Sequence, residues 1–294
     1  METPFTSQQT YIDDFSAFDY FQTYYAEGAG VLEEWVNFAL RNLNETFTTG
    51  GVTGDTLIDF GAGPTIYHLL SACEVFDKII TSDFLEQNRA ELQKWLKKDP
   101  DAFDWTAVIK SVCELEGNGE NWEKKAEKLR SKVKEVLKCD ALKTNPYDPV
   151  FLIPADCLLT CLCLEAPCED IKSFCNVLKN FKALIKPGGH LLILSILDAT
   201  FYYVGKQYFS SMTTRKEELE AAFKEAGYEI EKAVYAPRND RSRMDICDYK
   251  AYYYIHARKP QQAEASLHQY ECLSSVATMH SVRSMPTMHS LYFG

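Results

Sequence analysis

Residues Ile58-Asp59-Phe60-Gly61-Ala62-Gly63 close a short apolar run on a glycine-rich turn, and Asp83 follows about twenty residues later. Glycine suits such a turn because the backbone must bend sharply and approach a ligand with no Cβ in the way. An acid at the tip of the next strand can accept hydrogen bonds from both hydroxyls of a ribose. Together the two features specify a nucleoside more than a phosphate. Thr65 stands where dinucleotide-binding turns usually keep a third glycine, which argues against a nicotinamide cofactor. Asp140 is expected at the carboxyl end of the third strand, where a side chain can address an adenine exocyclic amine. Glu165, at the end of the fourth, can hold an amine, directly or through water, while the amine loses its proton. Any one of Asp59, Asp83 and Asp140 alone reads as a helix cap or turn residue. Three at successive strand ends favour a cofactor crevice.

Positioning them requires alternating strands and helices. The spacing predicts strands over residues 56–60, 78–82, 156–164, 190–197, 228–235 and 249–256. Between them it predicts helices starting over 66–73 and running over 86–96, 122–137, 171–184 and 216–226. The aromatic-rich stretch 11–25 and the amphipathic stretch 31–43 read as helices that precede the sheet. This order specifies an α/β fold with a parallel sheet covered on both faces. Residues 260–294 change character: they are rich in Ser, Met and His, repeat Thr-Met-His-Ser and carry no period, so they read as a disordered tail.

With 294 residues, 46% of them hydrophobic, the chain can bury the core of one large domain. A net charge of -11 and a pI near 5.1, with no sustained Lys/Arg stripe, argue against nucleic acid and anionic membrane as partners. A neutral or cationic small molecule fits better. The start Met1-Glu2-Thr3-Pro4 has neither a basic nor an apolar leader region, so the ten cysteines are expected as free thiols in a reducing cytosol. No apolar run approaches the roughly 20 residues of a membrane helix. Cys157, Cys161 and Cys163 alternate, which would set them on one face of a strand as small hydrophobes. No metal site is expected there.

The chain resembles the family of nicotinamide, phenylethanolamine and indolethylamine N-methyltransferases from residue 1 to about 259. The matching stretches include Phe15-x-x-x-x-Tyr20-x-x-x-Tyr24-Tyr25, Asp59-Phe60-Gly61-Ala62-Gly63-Pro64-Thr65-Ile66-Tyr67, and Trp95-Leu96 with Ala102-Phe103-Asp104-Trp105. Cys113-x-Leu115-Glu116-Gly117, Lys138-Cys139-Asp140, Leu162-Cys163-Leu164-Glu165, Lys186-Pro187-Gly188-Gly189-His190 and Glu225-Ala226-Gly227-Tyr228 match as well. The resemblance implies a Rossmann-like, seven-stranded, mostly parallel methyltransferase sheet with a helical cap over residues 1–50, and S-adenosyl-L-methionine as cofactor. It implies that Tyr20 and Tyr25 close over the methionine end of the cofactor, that Gly61, Gly63, Tyr67 and Cys161 contact it, that Asp83 and Asn88 hold the ribose, and that Asp140 and Ala141 flank the adenine. It places Tyr24, Glu165, Ser195, Tyr202 and Ser211 on the acceptor, with Glu165 and Tyr20 as the catalytic pair. A monomer is the expected state.

Methyl transfer from a sulfonium is an in-line displacement in which positive charge moves from sulfur to the nucleophile, so it needs positioning more than an oxyanion hole or a metal. Aromatic faces from a cap attract a cation and exclude water. The expected reaction is N-methylation of a small pyridine such as nicotinamide, or of an arylalkylamine. The alternatives are methylation of a small thioether, or an adenosyl-binding protein without catalysis. The chain departs from its relatives at Ser195, where the nicotinamide enzymes carry Asp, at Ala199, where the phenylethanolamine enzymes carry Glu, and at Cys161, where the nicotinamide enzymes carry Thr.

Overall fold

The computed structural model describes residues 4–26, 32–117 and 121–261. The expected tail lies, from residue 262 on, outside the described residues. Three helices come first: α1 (Gln8–Asp14), α2 (Ala17–Tyr24) and α3 (Glu33–Thr48). Ser7 and Ser16 start the first two by accepting the backbone N–H of Thr10 and Asp19, the side-chain cap that a helix amino terminus needs.

The sheet follows as β1 (Gly54–Phe60), β2 (Phe76–Asp83), β3 (Val133–Lys138), β4 (Ala155–Cys161) and β5 (Ile185–Leu197), all parallel, then β9 (Ala251–Arg258), antiparallel to β5, and at the edge β8 (Glu229–Pro237), antiparallel to β9 and so parallel to the rest. The seven strands run in the order β3-β2-β1-β4-β5-β9-β8. The order reverses between β1 and β4, and that switch point opens a crevice at the carboxyl ends of the strands.

Inner strands are buried on both faces, as in β4, whose residues are all buried except Asp156. Leu57, Leu159, Leu192 and Leu194 pack on one face against α3, α4 (Glu86–Leu96), α5 (Thr106–Leu115) and α6 (Trp122–Lys132). Ile58, Phe60, Leu158 and Ile193 pack on the other against α7 (Ile171–Phe181) and α8 (Lys216–Glu225). A capping box between Asp170 and Ser173 starts α7.

Four local expectations are corrected. Residues 66–73 form no α-helix but two 3-10 turns, Tyr67–Leu69 and Ala72–Glu74. Pro64 to Cys73 is buried on every side, so there is no solvent face for an amphipathic helix, and Thr65, Tyr67 and His68 each bind a partner outside the turns. The helix predicted over 122–137 ends at Lys132, and the chain turns extended into β3. That strand lies at the sheet edge, where Lys134, Glu135 and Lys138 blunt it, and such charges imitate an exposed helix face. The strand predicted to 164 stops at Cys161, because Leu162 takes a left-handed φ of 48°. The alternation therefore breaks, and Cys163 packs with the opposite core face from Cys157 and Cys161.

Helix α5 and the hairpin of β6 (Phe201–Val204) and β7 (Gln207–Ser210) were not anticipated. The hairpin turns on Gly205 and Lys206, with Gly205 at φ 59°.

Candidate active site

At the carboxyl end of β1, Gly61 and Gly63 adopt φ values of 69° and 60°. A Cβ on Gly61 would stand 2.0 Å from Cys163 Sγ, so the turn is closed underneath by that thiol, whereas a Cβ on Gly63 would meet nothing within 4 Å. Asp83 ends β2 beside this turn. Its Oδ2 accepts the Gly63 N–H at 2.8 Å, and its Oδ1 accepts from the Leu85 N–H at 2.8 Å and Asn88 Nδ2 at 3.0 Å. Burial pushes the Asp83 carboxyl above its ordinary range, and these hydrogen bonds oppose the shift. Asn88 Oδ1 is buried with no partner among the described residues.

Asp140 lies just beyond β3, where its Oδ1 accepts Gln8 Nε2 and the Leu142 N–H, each at 3.0 Å. Helix α1 is thereby tied down over this end of the crevice. At the other end four tyrosines pack together, with ring centroids 5.1 Å apart for Tyr20 and Tyr24, 5.7 Å for Tyr20 and Tyr25, and 5.6 Å for Tyr25 and Tyr67. Burial holds all four phenols well above their ordinary value, so they stay neutral and able to donate. Trp35 Nε1 donates to Tyr67 Oη at 3.0 Å, and Tyr24 Oη donates to the Tyr203 carbonyl at 2.7 Å. The hairpin supplies Tyr202, whose hydroxyl shares a 2.8 Å hydrogen bond with Tyr11.

A cavity of about 520 Å³ joins these groups, a volume suited to a drug-sized ligand. Tyr20, Tyr24, Tyr25, Gly61, Gly63, Tyr67, Asp83, Asn88, Asp140, Ala141, Cys161, Glu165, Tyr202 and Ser211 all line it. Ser195 does not. It shares a face with Ile193 and Leu197 along β5, so it faces the α7–α8 side, buried beneath the site and opposite Tyr253 of β9.

Ser195 does lie near Glu165, without completing a hydrogen bond to it. Tyr253 Oη donates to Glu165 Oε1 at 3.1 Å. Burial dominates and raises the Glu165 carboxyl above its usual range, so an amine entering the cavity meets an acid inclined to hold a proton.

Gln8 and Tyr11, whose helix reaches the crevice from the far end of the chain, were not among the expected site residues. Nor was a buried pair under the glycine turn. His68 Nε2 lies 2.9 Å from Asp59 Oδ1, Thr81 donates to Asp59 Oδ2 at 2.7 Å, and Thr65 Oγ1 donates to the Ala62 carbonyl at 2.7 Å. The signal was in the text: an acid inside an apolar strand needs a buried partner.

A sequence model of the NNMT/PNMT/TEMT family matches residues 2–260. The chain belongs to that family. Among its members, the nicotinamide N-methyltransferase of Homo sapiens is 49% identical over 79% of this chain and 88% of its own length. The indolethylamine N-methyltransferase of Oryctolagus cuniculus is 48% identical over 81% of this chain and 92% of its own. The chain also aligns with a solved SAM-dependent methyltransferase from Methanosarcina mazei at a TM-score of 0.50 and 13% identity, over 71% of this chain and 93% of that one, a likeness of fold. The seven-stranded sheet thus shares the fold of that solved SAM-dependent methyltransferase, and three helices precede it here.

Proposed function

We propose that this protein is an S-adenosyl-L-methionine-dependent N-methyltransferase acting on a small pyridine or arylalkylamine. The observation that carries it is the pairing of Asp83 with the Gly63 amide beside an unpartnered Asn88 Oδ1, all on the wall of one cavity. The residues fit an adenosyl group. Open space at Gly63 admits a ligand against the backbone, Asp83 Oδ2 retains capacity to accept a second hydrogen bond, and Asn88 Oδ1 needs a donor such as a ribose hydroxyl.

In this reading Asp83 and Asn88 hold the ribose, and Asp140 and Ala141 flank the adenine. Tyr20, Tyr25, Tyr67 and Cys161 enclose the methionine end. The bound cofactor supplies a methyl group on a positively charged sulfonium. Aromatic faces around it tolerate that charge and keep water out. Tyr24, Tyr202, Ser211 and Glu165 bound the space left for the acceptor, and Tyr20 shapes the approach between the two. A pyridine nitrogen arrives neutral and needs only alignment. A protonated amine must first lose a proton, and Glu165 is the buried base placed to take it. Ser195 acts through Glu165 and Tyr253 rather than on the acceptor.

The same reading places the enzyme in the cytosol as a monomer that works on small molecules rather than nucleic acid. In support, the chain is acidic, and no helix among the described residues is long and apolar enough to cross a membrane. A panel of pyridines, arylalkylamines and thioethers with methyl-labelled cofactor tests the proposal. Labelled N-methyl product with a pyridine or an amine supports it. Transfer to thioethers alone, or no transfer with tight cofactor binding, overturns it.

A further inference from the structure

Far from the cavity, three neighbouring strands bring two imidazoles and a carboxylate together. His190 stands early in β5, six residues before the cavity-lining Ile196, or about 20 Å along the strand. His256 is on β9 and Glu231 on the edge strand β8. His190 Nδ1 and His256 Nε2 are 2.8 Å apart, Glu231 Oε2 is 3.3 Å from His256 Nε2, and all three donor atoms lie within 4.8 Å of one another.

We propose that His190, Glu231 and His256 form a binding site for one Zn²⁺ ion that ties the edge strand β8 through β9 to β5. Two imidazoles and a carboxylate are a complete protein ligand set for zinc with one position left for water. Tetrahedral bonds of about 2.0–2.1 Å put ligand atoms about 3.3 Å apart. Glu231 and His256 already have that spacing at 3.3 Å, the two imidazole nitrogens open by about 0.5 Å from 2.8 Å to reach it, and the His190–Glu231 pair, within 4.8 Å, is drawn in by side-chain rotation. The imidazole pair is now bridged by a single proton. Metal takes its place when that ring carries its proton on the other nitrogen.

The backbone is shaped for this contact. Ile230 pairs with Ala257 and Lys232 with His256, so Glu231 is the extra residue of a β-bulge, a device that re-aims a side chain. Arg258 fixes the carboxylate from outside: its Nη1 donates to Glu231 Oε1 at 3.2 Å and its Nε to the Gly188 carbonyl at 2.9 Å, which leaves Oε2 turned toward His256. Burial, with His190, Arg258 and Lys232 adding to it and Glu231 opposing, lowers His256 to about 4. Burial and Arg258 lower His190 too, against Glu231 and Asp156. Both rings are then unprotonated at neutral pH, the form a metal binds.

The test is titration of chelator-treated protein with Zn²⁺ against a chromophoric competitor, for the wild type, His190→Ala and Glu231→Gln, with Co²⁺ spectra and the melting temperature of each metal-free form. We expect one equivalent bound by the wild type, affinity lowered roughly tenfold or more in each variant, and Co²⁺ bands free of thiolate charge transfer. Glu231→Gln keeps the bulge and its outward position, so it carries the comparison even if His190→Ala melts early. No uptake by the wild type, undiminished uptake in Glu231→Gln, or thiolate bands that point to the cysteines would each overturn the site. None of these readouts depends on methyl transfer.

Discussion

The Gly63 amide donates to Asp83 Oδ2 at 2.8 Å, so the glycine turn after β1 and the acid that ends β2 hold one another in place before any ligand arrives. Asp83→Ala removes both that brace and the acceptor proposed for the ribose hydroxyls. Cofactor binding should weaken by on the order of 2 kcal/mol, about thirtyfold. Titration calorimetry with the cofactor and with its demethylated product checks it, and unchanged affinity would sink the assignment of Asp83.

Glu165→Gln separates two kinds of acceptor. With a primary amine, turnover should fall and the pH-rate profile should move to higher pH, because the amine must now be neutral in solution before it binds productively. With a pyridine, the substitution should act on KM and leave the profile flat near neutrality. No effect with any acceptor removes Glu165 from the mechanism.

The same variant has a stability signature of opposite sign. The Glu165 carboxyl is raised in the folded state, so ionising it costs the native form more than the unfolded one. Stability from the protonated form is present at low pH and is lost as pH rises through the folded pKa. Glu165→Gln should therefore melt higher than wild type above that pH, with a gap that closes on acidification. Scanning calorimetry across pH reads both ends.

His256 titrates the other way. Its folded pKa of about 4 lies below the unfolded value near 6.5, so its contribution is intact above about 6.5 and is lost as pH falls toward 4. The loss should be on the order of 2 kcal/mol after allowance for partial solvation. His256→Gln should flatten the slope of melting temperature against pH in that window.

His68→Leu leaves the Asp59 carboxylate buried with Thr81 as its remaining side-chain donor. Destabilisation of about 2 kcal/mol is expected, with weaker cofactor binding because the turn above it loosens. A melt and a titration on one sample measure both.

Ending the chain after Gln261 should leave melting temperature and turnover nearly unchanged, since the segment beyond carries no periodic apolar face and the family match stops at residue 260. A large drop in either would show that it docks on the domain.

Much of this architecture is legible in the residues. The apolar runs around Ile58, Leu158 and Leu192 announced inner strands, because burial on both faces leaves an unbroken hydrophobic signature. β3 was hidden because an edge strand with Lys134, Glu135 and Lys138 has the charge density of a helix surface. For the site, the glycine turn with Asp83 was readable from local spacing. Ser195 was expected on the acceptor from the resemblance alone, and strand alternation explains where it lies: adjacent residues go to opposite faces, so its neighbour Ile196 lines the cavity while Ser195 stands beneath it. Gln8 and Asp140 were beyond local reasoning altogether, since no pattern near either residue encodes a contact 132 positions away.

That closure by segments far apart in the chain has a practical side. Phe5 and Cys247 face the same cavity, and the Thr6 amide donates to Ser210 Oγ at 2.6 Å across 204 residues. A small molecule lodged there touches the first helices, the sheet and the late loops at once, so it cannot be accommodated by a partly opened chain. Its free energy of binding is added to the cooperative melt of the whole domain, about 2.7 kcal/mol at a hundredfold excess over Kd. Dye-monitored melting in the presence of candidate compounds therefore ranks acceptors by affinity without waiting for turnover, and a compound that raises the transition only when the demethylated cofactor is also present identifies itself as the occupant of the second half of the pocket.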